Sequence, residues 1–155
     1  MQPRIKSPAL TLPGTREALL AINKATDGCG VPRATLELVH ARVAQINGCS
    51  VCLDMHCRAL KKIGERDTRI FALAAWRETP YYTEAERAAL GLAEAATRLS
   101  DRTDPVPDEV WEEASRHFSE AALGGLVTAI ALANLWNRLN VPTQQVTGDW
   151  IEQYI

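Results

Sequence analysis

Apolar positions along this chain recur every three or four residues and almost never alternate strictly, a pattern that predicts helices and no sheet. Thr15 is positioned to cap "REALLAINKAT", which runs out at Asp27-Gly28. Pro32 suits a first helical position, and "RATLELVHARVAQI" then places Leu36, Val39, Val43 and Ile46 on one stripe. Asn47-Gly48 breaks that helix, and Cys49 to Ile63 reads as the next, closed by Gly64. Asp67 caps a short helix through Trp76, and Thr83 with Glu86 has capping-box spacing ahead of an alanine-rich helix. After the loop "SDRTDPVPD", a helix from Asp108 to His117 leads to a long apolar one, Ser119 to Asn140, which Pro142 stops. A short C-terminal segment, "DWIEQYI", follows. The expectation is an all-α fold with one domain over residues 1–155, including an N-terminal arm over residues 1–14. Gly124-Gly125 in the most apolar helix, the arm and the aromatic C-terminus suit packing on a neighbouring subunit, a compact monomer being the plainer alternative.

Composition narrows the function classes. The 17 Lys+Arg and 19 Asp+Glu are spread without a basic run or acidic tail, so nucleic acid and anionic membrane surfaces are not expected partners. The longest apolar stretch, Ala121 to Leu135, is interrupted by Gly124, Gly125, Thr128 and Asn134, so no spanning helix is expected. The first residues carry Pro3, Pro8 and Pro13 but no continuous apolar segment, which reads as no secretory signal and a reducing, cytoplasmic location. In that compartment close cysteine pairs are more often catalytic or metal-binding than structural.

The chemistry concentrates in "INGCSVCLDMHCRAL", where Cys49, Cys52, His56 and Cys57 fall within nine residues. At ~100° per residue, Cys49, Cys52 and His56 share a helical stripe about 60° wide, while Cys57 points elsewhere as a small core residue. Cys49 stands in the first helical turn, where unpaired N–H groups and the macrodipole favour a thiolate. If the two helices fold back at Asn47-Gly48, Glu37 comes opposite His56 and can hold the imidazole in one tautomer. His40, one turn from Glu37, is a weaker candidate for the same role.

A zinc clamp fits poorly, because Cys49 and His56 on one helix stand about 10 Å apart along its axis and no second C-x-x-C is present. A structural disulfide across three residues would close too small a loop to stabilise much. A redox pair is favoured, and no metal or cofactor is expected. Asn134, Trp136, Asn137 and Arg138 end the apolar helix and either line a substrate entrance or, as the favoured reading, satisfy buried groups between subunits.

With Glu37, Cys49, Cys52 and His56 in the pattern E-x11-C-x-x-C-x-x-x-H, the chain resembles the AhpD-like alkylhydroperoxidases of the carboxymuconolactone decarboxylase family. "QINGCSVCLDMH", "RIFALAAWRETPYYTEAERAAL" and "AIALANLWNRL" extend the likeness from Pro32 to Leu139. The resemblance implies an all-helical trimer or hexamer with a buried thiol site. It also implies hydroperoxide reduction, with Cys52 as the peroxidatic thiolate and His56, supported by Glu37, as its proton acceptor. Cys49, expected to be the more exposed sulfur, would close the disulfide, and an external dithiol on a lipoyl-bearing or thioredoxin-like protein would reopen it. One departure stands out: Val51 occupies a position where better-studied peroxidase members carry a second histidine. That motivates the alternative of a redox-sensing or interaction module without efficient turnover.

Overall fold

The computed structural model describes residues 1–101 and 103–155; Arg102, within the predicted "SDRTDPVPD" loop, lies outside them. The chain forms eight α-helices among the described residues: α1 (Pro8–Thr11), α2 (Thr15–Ala25), α3 (Arg33–Asn47), α4 (Ser50–Lys62), α5 (Asp67–Ala72), α6 (Glu84–Thr97), α7 (Asp108–His117) and α8 (Glu120–Asn140). Two 3₁₀ segments, Leu73–Glu78 and Asp149–Tyr154, complete it, with no strand among the described residues. The architecture is the all-α one that the periodicity predicts.

The core forms where α3 packs on α4, α6 and α8. Leu38, Val39 and Val43 of α3 meet Leu60 of α4, Leu90 of α6, and Leu126 and Ile130 of α8, all essentially excluded from solvent. Stripes of this kind supply most of the stability of short helices, because isolated segments of their length are marginal in water. No described helix is long and apolar enough to cross a membrane.

Several caps shift by one residue from their predicted places. The Thr15 amide bonds to the Leu12 carbonyl at 3.2 Å, so the chain has already turned and Gly14, at φ 79°, stands at the N-cap. Pro32 is likewise an N-cap rather than a first helical residue. Asp67 opens α5 instead of capping it and receives Lys61 Nζ at 2.6 Å, while a kink at Ala75 turns the rest of the predicted helix into the first 3₁₀ segment. The Thr83–Glu86 capping box forms as predicted.

The segments expected to reach for a neighbour also make contacts within their own chain. Ala9 of α1 is buried with Leu19 and Leu132, and the Arg4 amide bonds to the Thr143 carbonyl at 2.9 Å. Gly125 makes room for Cys29: a Cβ there would lie 2.4 Å from its sulfur, so this half of the Gly-Gly pair serves an internal contact.

Candidate active site

The site is built on the α3–α4 corner. Gly48 ends α3 at φ 68°, a backbone conformation that costs glycine little and other residues more. The reversal makes Cys49 the N-cap of α4, where its sulfur accepts the Cys52 amide at 3.4 Å. The two sulfurs lie 2.6 Å apart and share a hydrogen bond. Closing a bond of ~2.05 Å between them therefore asks for only a small local movement.

The electrostatics of the pair are unequal. The Cys49 thiol is drawn down to about 7 by its hydrogen bond with Cys52; burial works the other way, and the Cys52 amide with the Asn140 and Asn137 side chains reinforces the lowering. Cys52 is pushed up, first by the same shared hydrogen bond, then by burial and by the charge on its neighbour. The lowering at one sulfur and the raising at the other share one cause, so the two thiols ionise as a pair that readily gives up a single proton. Both residues are buried, Cys49 being 2% exposed and Cys52 6%. Ile151 of the C-terminal segment shares one buried cluster with both cysteines, Ala44 and Val51. That segment is held by Arg58, which binds Glu152 at 2.7 Å and Asp149 at 3.3 Å.

The fold also brings the predicted acid and imidazole together. His56 Nδ1 lies 2.8 Å from Glu37 Oε2, across the α3–α4 contact. Burial works to raise the Glu37 carboxyl, but the His56 hydrogen bond and charge, with His40 and Arg33 beside it, hold it below its ordinary value. His40 lies against His56 with ring centroids 4.7 Å apart and the rings tilted by 49°. Burial and the neighbouring His56 push His40 down to about 3, so it is a neutral imidazole at neutral pH, and its Nε2 has no partner. Among the described residues no hydrogen bond joins His56 to either sulfur, so the two pairs are adjacent but not directly linked. Glu37, His40 and His56 also offer ligand atoms within 4.8 Å of one another, a cluster that excludes both cysteines and so differs from the zinc clamp weighed on sequence. Cys57 is half-buried against the core, as expected of a packing residue.

A cavity of about 490 Å³ opens beside Cys49, lined also by Gly48, Val51, Asn140, Gln144 and Thr147 among others. Among the described residues no Lys, Arg, Asp or Glu lines it. Asn134 and Asn137 accept hydrogen bonds from Asn47 of their own chain at 3.0 and 2.8 Å. Asn140 is not singled out by the sequence pattern, yet it reaches Cys52 Sγ at 3.3 Å. Its spacing of three from Asn137, on an otherwise apolar helix, is the signal that could have found it.

Residues 13–95 match the Carboxymuconolactone decarboxylase family. The uncharacterized protein YdfG of Bacillus subtilis (strain 168) is 36% identical over 129 residues, covering 83% of this chain and 86% of its own. The uncharacterized protein YnjA of Escherichia coli (strain K12) is 36% identical over 104 residues, 66% of this chain and 55% of that one. Among solved structures, a protein of unknown function from Agrobacterium tumefaciens, a putative antioxidant defence protein AhpD, superposes with a TM-score of 0.87 at 31% identity, over 95% of this chain and 99% of its own. Sequence, fold and the matched relatives agree: the chain belongs to the carboxymuconolactone decarboxylase family and has its AhpD-like all-α fold.

Proposed function

We propose that this protein is a thiol-dependent hydroperoxide reductase in which Cys49, Cys52, His56 and Glu37 act together. The observation that carries the reading is the pair of sulfurs 2.6 Å apart, one of them with its pKa drawn down to about 7. The pair gives up a single proton. Placing the remaining one on Cys49, across the shared hydrogen bond, leaves the charge on Cys52, which attacks the O–O bond of the hydroperoxide. A sulfur–oxygen bond forms as the O–O bond breaks, and the alkoxide leaves as an alcohol. His56, oriented by Glu37, stores the proton first lost by the pair and returns it through water to the leaving oxygen. Cys49 then attacks the Cys52 sulfenic acid, gives up its proton and expels hydroxide, so that water leaves and a disulfide remains.

Two electrons have passed from the pair to the peroxide. An external dithiol of the lipoyl or thioredoxin-like class returns them. A cavity lining without acidic or basic side chains suits a neutral hydroperoxide, and a homotrimer or homohexamer is the proposed assembly. Mixing reduced protein with cumene hydroperoxide tests the reading: wild type should consume an equivalent of peroxide with loss of two thiols, and Cys52→Ser should do no better than buffer. Equal rates for the two proteins would defeat it.

A further inference from the structure

Asn134, Asn137 and Asn140 follow one another at three-residue intervals along α8, and all three are buried. A buried carboxamide needs partners for both its oxygen and its NH₂ group. Asn134 has them: its oxygen receives Asn47 Nδ2, and its own Nδ2 donates to the Ile130 carbonyl at 2.9 Å and to Thr97 Oγ1 at 3.2 Å. Asn137 has only half. Its Oδ1 is held by Asn47 Nδ2 at 2.8 Å, which fixes the amide's orientation and turns the NH₂ the other way. That Nδ2 is buried without a partner. One turn on, Asn140 Nδ2 already donates to Cys52 Sγ at 3.3 Å. Both side chains favour the ionised form of both thiols.

We infer that Asn137 and Asn140 form an amide cradle that binds negative charge at the cysteine pair, stabilising the thiolate form of its sulfurs. The inference rests on the thiol-redox reading above and names the groups that make it work. A donor left unpaired in the neutral protein gains its partner when an anionic acceptor appears, so its help is larger in the charged state than in the resting thiol. A carboxamide has no proton to lose near neutral pH, so this help does not titrate away. Asn140 touches a reacting atom and is catalytic in that sense; Asn47 acts through Asn137 and is a positioning residue. The reach is long in sequence: Asn47 lies two residues before Cys49, and the amides it orients come from α8.

No charged side chain hydrogen-bonds to either sulfur among the described residues. On α8, Arg138 is bound to Asn134. On α4, Arg58 holds Asp54 and the Asp149 and Glu152 carboxylates of the C-terminal segment. On α3, Glu37 is engaged with His56, beside His40. Beside the hydrogen bond between the thiols themselves, the two amides and the Cys52 backbone N–H are therefore the neutral donors that help set how readily the pair ionises.

The test is the pH profile of iodoacetamide alkylation of the fully reduced protein, with no peroxide present. Asn140→Ala should move the midpoint upward and slow alkylation at neutral pH about tenfold, the effect of losing one hydrogen bond to a charged group. Asn137→Ala should act in the same direction, and Asn47→Ala should reproduce it by releasing the Asn137 amide. Asn137→Asp, which puts an acceptor where the donor was, should raise the midpoint further. A folded variant of Asn140 whose profile overlays wild type overturns the inference. If the Asn137 variants fail to fold by circular dichroism, Asn140→Ala decides alone, an unchanged profile again overturning it. Because no peroxide enters this assay, a negative result leaves the peroxidase reading standing. Shifted profiles in the variants, beside a wild type that consumes no peroxide, sink that reading instead.

Discussion

Helix α3 contributes to two buried polar clusters that are finished in different ways. On one side Arg42 meets Glu94 of α6 at 2.7 Å, and the same carboxylate accepts Trp76 Nε1 at 2.9 Å and a hydrogen bond from Arg77. Both oxygens of that acid are engaged. On the other side Glu37 and His56 pair, but His40 Nε2 and Asn137 Nδ2 are left without partners. A network that serves the fold closes on itself, since an unpaired buried polar group costs stability. One that handles a ligand keeps some valences open for it.

The largest expected contrast comes from Cys52→Ser. Peroxide consumption should fall to the uncatalysed rate, while urea unfolding changes by less than about 1 kcal/mol, as for a near-isosteric substitution. The opposite pattern is expected of Glu94→Leu, which strands Arg42 in a buried setting. It should lower the unfolding free energy by roughly 3 kcal/mol and leave thiol alkylation at neutral pH as in wild type. Loss of thiol reactivity in that variant would erase the distinction between the clusters.

Glu37→Gln should reduce turnover about tenfold by loosening the His56 ring, with little change in the melting temperature. Two pH profiles sharpen the contrast. Alkylation should have its midpoint near 7, where Cys49 ionises, and a midpoint near its ordinary 9.0 would argue against activation. Burial raises the Glu94 carboxyl, but Trp76, Arg77 and Arg42 outweigh it and depress it below 4.5. Its contribution to stability is therefore present above that pH and lost as pH falls through the depressed value, so Glu94→Gln should flatten the acid limb of the unfolding curve.

The all-α fold and the meeting of Glu37 with His56 were legible because both follow from local spacing: a 3.6-residue period and a glycine-marked reversal between two adjacent helices. The cap assignments failed where a neighbouring turn outranked side-chain preference, as when Leu12 captured the Thr15 amide. The burial of the two sulfurs was out of reach for a different reason: Ile151, about a hundred residues away in the chain, shares their buried cluster and is not visible in the motif. Asn140 was missed likewise, since its partner lies 88 positions earlier in the chain.

That separation along the chain has a bearing on how the molecule assembles. Glu37, Cys49, Cys52 and His56 occupy a helical hairpin whose contacts are local, of the kind that forms early and cheaply, whereas the docking of α8 closes a long loop and comes at greater entropic cost. A hairpin formed ahead of α8 already has its sulfurs side by side, so an oxidant met during synthesis or partial opening can lock the bridge before the rest of the architecture is in place.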